Sequence, residues 1–461
     1  MHANPSSADG GQNWSSRFGF IMASVGFAVG LGNIWKFPYI TGENGGGAFV
    51  LVYLLCAFGI GVPILMAEVF IGRRGGGAAS TDMRRVAEES GVSPRWSAVG
   101  GMTVWTALLI NVVYAVVAGW VLRYLFLAAT GQFEALDTGE RSAAYFGDML
   151  KDPTGMFFWT GLVLGICGFI IAAGIQKGIE RAVTVLMPTL FVLLLIMVGY
   201  SAVTGAFAEG VRFLFMPDFS KIDANVVLVA IGQAFFSVSV AMAGMMSYGA
   251  YLPKDISIGR SAMLIVSADT LVALLAGLAI FPLVFQHGLD PSGGAGLIFE
   301  TLPVAFAQMP GGRIFSALFF MLLSVAAITS MVGLLEPVLH WAEENLKVKR
   351  RPASVILCAG LFCCSLASIY SYNQLQGLHP VAWLPGFETR NINDILSFLT
   401  DQLMLPLGGL LIAIFAGWFA SRAVSQDELG LPDGAYSLWR FLIRYPVPVA
   451  IALVLVLGIG G

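Results

Sequence analysis

The sequence predicts an all-α integral membrane protein of about eleven spans, and three observations carry that reading. Of the 461 residues, 57% are hydrophobic and only 11% are charged, where soluble domains carry ~25%. Apolar runs of about 20 residues, the length that crosses a bilayer as a helix, recur along the whole chain. Lys and Arg crowd alternate loops: Arg73, Arg74, Arg84, Arg85 and Arg95; Lys177 and Arg181; Lys254 and Arg260; Lys347, Lys349, Arg350 and Arg351; Arg422, Arg440 and Arg444. With Arg17, these place the N-terminus in the cytoplasm by the positive-inside rule and the C-terminus outside, in a multi-pass protein of the cell membrane.

The same numbers exclude other classes. A net charge of -3 and the lack of a basic patch with interleaved aromatics argue against a nucleic-acid partner. Cys56, Cys167, Cys358, Cys363 and Cys364 fall in apolar runs without metal spacing and read as packing residues. Gly30-Leu31-Gly32 lies inside a span with no strand before it, so it is no dinucleotide fingerprint. No catalytic triad is visible, and the reading is not an enzyme.

In chain order, residues 1–13 are polar and small and are expected to be a disordered cytoplasmic N-terminus. The first run, about 18–40, contains Gly26-Phe27-Ala28-Val29-Gly30-Leu31-Gly32-Asn33-Ile34-Trp35-Lys36-Phe37-Pro38. Three glycines in seven positions, then Asn33, Lys36 and Pro38, predict a helix broken at membrane depth. Freed peptide groups there are tolerated only against protein, water or a bound ion, which suggests a binding site. Glycines at this spacing also serve close helix packing, but Asn33 and Lys36 need polar partners.

Further runs follow near 46–71, 100–128, 156–174 and 183–205. The loops about 129–155 and 286–313 are long enough for a lid or a re-entrant helix, or are plain connectors. The sixth run, 226–251, brings Ser237 and Ser239 to mid-span within a stretch of small residues; serines can instead bond back to their own helix. Two interrupted helices in corresponding positions point to a transporter site between inverted repeats. Runs near 262–285, 314–342, 354–372, 394–420 and 441–460 complete the chain. Asp269 is an acid near mid-membrane that requires a cation or a donor. Thr329-Ser330 adds two hydroxyls, a pair that is more often structural than ligating. Carbonyls, hydroxyls, amides and a carboxylate together are what a hard cation such as sodium takes.

Several motifs resemble the neurotransmitter:sodium symporter family, in its bacterial, leucine-transporter-like branch. They are Trp14-Ser15-Ser16-Arg17-Phe18-Gly19-Phe20, Val29 to Tyr39, Glu43-Asn44-Gly45-Gly46-Gly47-Ala48-Phe49, Pro63-Ile64-Leu65-Met66-Ala67-Glu68 with Ile71-Gly72-Arg73, Gln233-Ala234-Phe235-Phe236-Ser237, and Leu405-Pro406-Leu407-Gly408-Gly409. The resemblance implies a 5+5 inverted repeat, with 14–205 and 206–420 as the two halves and 421–461 as a cytoplasmic loop and span eleven. It implies two sodium sites. The first would use the Ala28 carbonyl, Asn33, Ser237 and Asp269, completed by the substrate carboxylate. The second would use the carbonyls of Gly26, Val29 and Ala326 with Thr329 and Ser330. The substrate carboxylate would meet the Leu31 and Gly32 amides and Tyr114, and its amine the carbonyls of Ala28 and Phe236 and the Ser239 hydroxyl. Its side chain would fill a pocket of Ile110, Phe236, Met242 and Leu334, with Ser330 alongside.

The resemblance thus implies sodium-coupled symport of a neutral, hydrophobic amino acid into the cell by alternating access. Gly30 stands where monoamine carriers place an aspartate, which favours a substrate bearing its own carboxylate. A sodium-permeable channel and a non-transporting amino-acid sensor are the rivals. The chain departs from the family in four places, one of them being eleven expected spans where relatives have twelve. Ala241-Met242-Ala243 replaces the usual glycine-flanked break, which narrows the pocket toward small to mid-sized aliphatic substrates. The acidic partner of Lys36 aligns near Ser397, leaving Asp394 or Asp401. Glu344 keeps the acid of an inner ion pair, but no basic residue precedes Trp14.

Overall fold

The structure, a computed structural model, describes residues 14–291 and 296–460. The expected disordered segment 1–13 lies outside the described residues. The helices are α1 (Arg17–Ala28), α2 (Gly32–Glu43), α3 (Gly47–Gly75), α4 (Ala79–Glu89), α5 (Pro94–Ala129), α6 (Gly139–Leu150), α7 (Pro153–Ala172), α8 (Ile175–Thr204), α9 (Phe207–Phe215), α10 (Ala224–Ser237), α11 (Gly244–Ala250), α12 (Ile258–Gln286), α13 (Leu297–Gln308), α14 (Gly312–Leu346), α15 (Arg350–Ser371), α16 (Ile392–Phe419), α17 (Arg422–Leu429) and α18 (Asp433–Gly458).

Among the described residues, nine continuous helices are long and apolar enough to cross a membrane. A tenth span is the pair α1 and α2, bent by 50° at its break. The sixth predicted run is filled by α10 and α11 with a non-helical stretch between them. Of the two long connections, one holds α6 and the other holds α13, so neither is a bare connector.

Proline and glycine chemistry shapes these helices. Pro38, Pro63, Pro303 and Pro406 each sit just after a π turn: Gly32–Lys36, Ala57–Gly61, Leu297–Thr301 and Phe398–Met404. A proline lacks the N–H and crowds the carbonyl four residues back, and a widened turn relieves both without ending the helix. Where α11 crosses α3, a side chain at Gly72 would run into the Met246 carbonyl and one at Gly249 into the Val69 carbonyl. Both glycines are therefore fixed by backbone contact. The most extensive helix packing joins α5 to α14, and α1 packs against α14, α8 and α12. Outward-facing apolar residues such as Phe169 and Val203, 81% and 86% exposed, mark the surface that lipid covers.

The break in the sixth span was less legible. No glycine lies between Val238 and Ala243, yet Ser239, Ala241 and Ala243 take φ of 55°, 64° and 58°. Left-handed backbone costs a non-glycine residue roughly 1–2 kcal/mol, so tertiary contacts hold it. The buried Glu68 carboxylate accepts the Ala241 N–H, and Ser239 Oγ donates to the Phe27 carbonyl at 3.3 Å.

Candidate functional site

The two breaks face each other. After α1 the chain turns at Val29, and the Gly30 N–H donates to Asn33 Oδ1 at 3.2 Å. The Leu31 N–H donates to Tyr114 Oη at 3.1 Å, so Tyr114 stands at the amides where a carboxylate would dock. Gln233 Nε2 donates to the Gly32 carbonyl at 3.0 Å and ties the start of α2 to α10. A side chain at Gly30 would place its Cβ 2.5 Å from Ser330 Oγ and 3.0 Å from Tyr114 Oη, so any larger residue has to displace that serine hydroxyl.

Two clusters of oxygens flank this turn. In the first, Asn33 Nδ2 donates to Asp269 Oδ1 at 2.7 Å and lies 3.0 Å from Ser237 Oγ, while Ser237 Oγ donates to Asp269 Oδ2 at 2.6 Å. Tyr53 Oη stands 3.2 Å from Ser237 Oγ. Asn33, Ser237 and Asp269 are buried and in contact with one another. The amide, however, turns its NH2 to the carboxylate and its oxygen to Gly30. Coordinating a cation would require the opposite rotation, a half-turn about one bond.

In the second cluster, Ser330 Oγ lies 3.4 Å from the Gly26 carbonyl, 3.2 Å from that of Phe27 and 3.3 Å from that of Val29. Thr329 Oγ1 lies 3.1 Å from the Ala326 carbonyl and 3.0 Å from that of Val325. A hydroxyl has one proton, so at least two of the three carbonyls around Ser330 face an oxygen with no hydrogen between them. An apolar surround makes such converging lone pairs costly, and a small cation would satisfy them.

A cavity of about 440 Å³ opens beside the turn, lined by Leu31, Gly32, Ile110, Tyr114 and Phe236, with Trp120, Phe299 and Glu300 higher up. Lys36 and Asp401 stand at its rim 3.9 Å apart, and Lys36 Nζ lies 4.1 Å above the Phe236 ring. Five of the expected substrate residues line this wall, and the other five, Ala28, Ser239, Met242, Ser330 and Leu334, are buried and do not line it. The Phe236 carbonyl already accepts the Ser239 N–H at 3.1 Å. For Lys36, the structure selects Asp401. Asp394 is spent closing the N-terminus of α16, where it and Asn391 cap one another.

On the opposite, basic-loop side, Trp14 Nε1 donates to the Tyr248 carbonyl at 3.0 Å, joining the segment before α1 to α11. Glu344 forms no ion pair among the described residues. Its carboxylate accepts the Ala78 N–H and the Thr81 hydroxyl, and so caps α4 from α14. Beside it, Asp82 lies buried; burial pushes its carboxyl well above the ordinary range, against the Gly77 N–H at 2.7 Å. The roles of Glu68, Gln233 and Tyr53 were not assigned from sequence, although each is a polar group inside an apolar run, the signal that identified Asp269.

A model of the sodium:neurotransmitter symporter family matches residues 11–140 and 140–389. The chain belongs to that family. Relatives of this symporter include the sodium-dependent transporter YhdH of Bacillus subtilis (strain 168), 35% identical over 97% of each chain. A sodium-dependent transporter of Haemophilus influenzae is 31% identical over 96% of this chain and 97% of its own. The crystal structure of MhsT in complex with L-phenylalanine superposes with a TM-score of 0.87 at 39% identity, covering 97% of this chain and 99% of that one. The protein is therefore a sodium-dependent transporter of the membrane, with the fold of that structure, and not an enzyme.

Proposed function

We propose that this symporter carries a neutral, hydrophobic amino acid inward with sodium by alternating access. The observation that supports it most is the meeting of the amides of a broken helix, held only by side chains, with two oxygen clusters beside one largely apolar cavity. Leu31 and Gly32 would receive the substrate carboxylate, displacing Tyr114 from the Leu31 amide toward the ligand. That carboxylate would complete a first sodium site at Ala28, Asn33, Ser237 and Asp269. A second sodium would sit among Gly26, Val29, Ala326, Thr329 and Ser330. Broken helices suit this division, since N-terminal ends favour an anion and freed carbonyls a cation.

Ile110 and Phe236 make the side-chain wall apolar, which disfavours charged substrates. The phenylalanine bound to MhsT supports aromatic side chains as well as the aliphatic ones that Ala241 and Ala243 favour. The two halves 14–205 and 206–420 would be the repeats that move against each other, and the basic loops would face the cytoplasm.

A competition panel in saturating sodium tests this reading: leucine, valine, alanine, phenylalanine and tryptophan against glutamate, lysine, tyramine and dopamine. Neutral amino acids should compete and the others should not. Stronger competition by dopamine than by every neutral amino acid would overturn the role of Gly30. Binding at full affinity without sodium would overturn coupling, substrate-independent sodium current would favour a channel, and binding without accumulation in proteoliposomes would favour a sensor.

A further inference from the structure

We propose that this symporter carries a specific site for an anionic glycerophospholipid on its basic-loop side, where α12 begins. Two cavities meet there. One is a trough of about 730 Å³ between α3, α12 and α18, lined by Phe58, Met66, Met263, Leu438 and Trp439 among others. Phe58, Met263 and Leu438 are 36%, 48% and 59% exposed, so the trough opens onto the surface that lipid covers. Trp439 Nε1 is already spent on the Pro63 carbonyl at 3.0 Å, which leaves the wall apolar.

The second cavity, about 380 Å³, is polar and is lined by Ser15, Ser16, Arg17 and Asp255. Ser257 and Arg260 line both. A pocket with two guanidiniums thus runs into an apolar trough, which is the order of polarity along a phospholipid. No residue of either cavity belongs to the transport cavity.

Charge selects the headgroup. Arg17 and Arg260 are exposed, and neither guanidinium takes part in an ion pair among the described residues. Asp255 is the one carboxylate lining the pocket, while Glu180 behind it accepts from Ser15 and Ser16. Two positive charges and one negative leave room for a single phosphodiester. The N-terminus of the long helix α12, capped by Ser257, adds to the attraction. The phosphate would lie against Arg17 and Arg260, and one acyl chain would fill the trough between Phe58, Met263 and Leu438. Basic pockets beside membrane helices on the cytoplasmic side bind anionic lipid head groups.

The test uses the full chain, purified and incubated with equimolar phosphatidylglycerol, phosphatidylethanolamine and phosphatidylcholine, with retained lipid read by native mass spectrometry. One phosphatidylglycerol per chain should be retained in preference to the other two. Arg17→Gln and Arg260→Gln should each lower retention about fivefold, Arg260→Lys should restore part of it, and Arg84→Gln, at an exposed arginine elsewhere on the same side, should change nothing. Ala435→Trp, which fills the trough without changing charge, should release the lipid. Sodium-dependent thermal shifts on every variant report that it is folded. Equal retention of phosphatidylcholine, an equal loss in Arg84→Gln, or full retention in Ala435→Trp would each overturn the proposal. So would displacement of the lipid by millimolar inorganic phosphate, which would mark a headgroup site alone.

Discussion

Gly30→Ala probes the centre of the molecule. The added Cβ would stand 2.5 Å from Ser330 Oγ, 3.2 Å from Ser330 Cβ and 3.0 Å from Tyr114 Oη. The Ser330 hydroxyl must then rotate away from the carbonyls of Gly26, Phe27 and Val29, removing one oxygen from the proposed second sodium site. Overpacking by one carbon in a tight interior costs about 1–3 kcal/mol. If that cost falls on the sodium-bound state, affinity drops about 5–150-fold. The assay is a sodium titration of thermal stability, repeated with a radiolabelled neutral amino acid as the reporter. Ser330→Ala removes the contested hydroxyl, so adding Gly30→Ala in that background should cost clearly less than it does alone, a coupling that a double-mutant cycle measures. Wild-type sodium affinity in Gly30→Ala, or strict additivity in the cycle, would refute the assignment of Ser330 as a ligand.

Other outcomes follow from the same geometry. Asp269→Asn should weaken sodium binding and make uptake respond to added chloride, which isotope uptake in chloride-free buffer checks; unchanged sodium affinity would make Asp269 a structural acid. Asp82→Asn removes a buried carboxylate whose Oδ2 has no partner. Because the folded pKa is raised, the ionised acid penalises the fold above the unfolded value of 3.8; the variant should melt higher than wild type at pH 8, with the difference shrinking as the pH falls. Asp401→Asn should shift the melting temperature by less than about 3 °C, since partly exposed pairs contribute roughly 0–1 kcal/mol, yet it should speed dissociation of bound amino acid by loosening the cavity rim. No change in dissociation rate would show that the Lys36–Asp401 pair does not retain the ligand.

The sequence alone determined the class and the first half of the site. Composition and recurring apolar runs of about 20 residues require a helical membrane bundle, because a helix satisfies its own backbone in lipid and needs that length to cross it. Gly26, Gly30, Gly32 and Pro38 announce the break in the first span, because glycine and proline act through the local backbone. Asn33, Ser237 and Asp269 stand out for the price of a polar group in hydrocarbon.

Tertiary structure decided the rest. The sixth span unwinds without a glycine because Glu68, Ser239 and Phe27 hold Ala241 and its neighbours in a conformation that alanine does not favour by itself. Asp401 rather than Asp394 meets Lys36 because a capping position had already engaged the other acid. Met242 and Leu334 are buried and do not line the cavity as it stands, and Glu344 caps a neighbouring helix while pairing with no base among the described residues. Each of these outcomes depends on which distant group arrives at 3 Å, and residue type and spacing along one chain do not encode that distance.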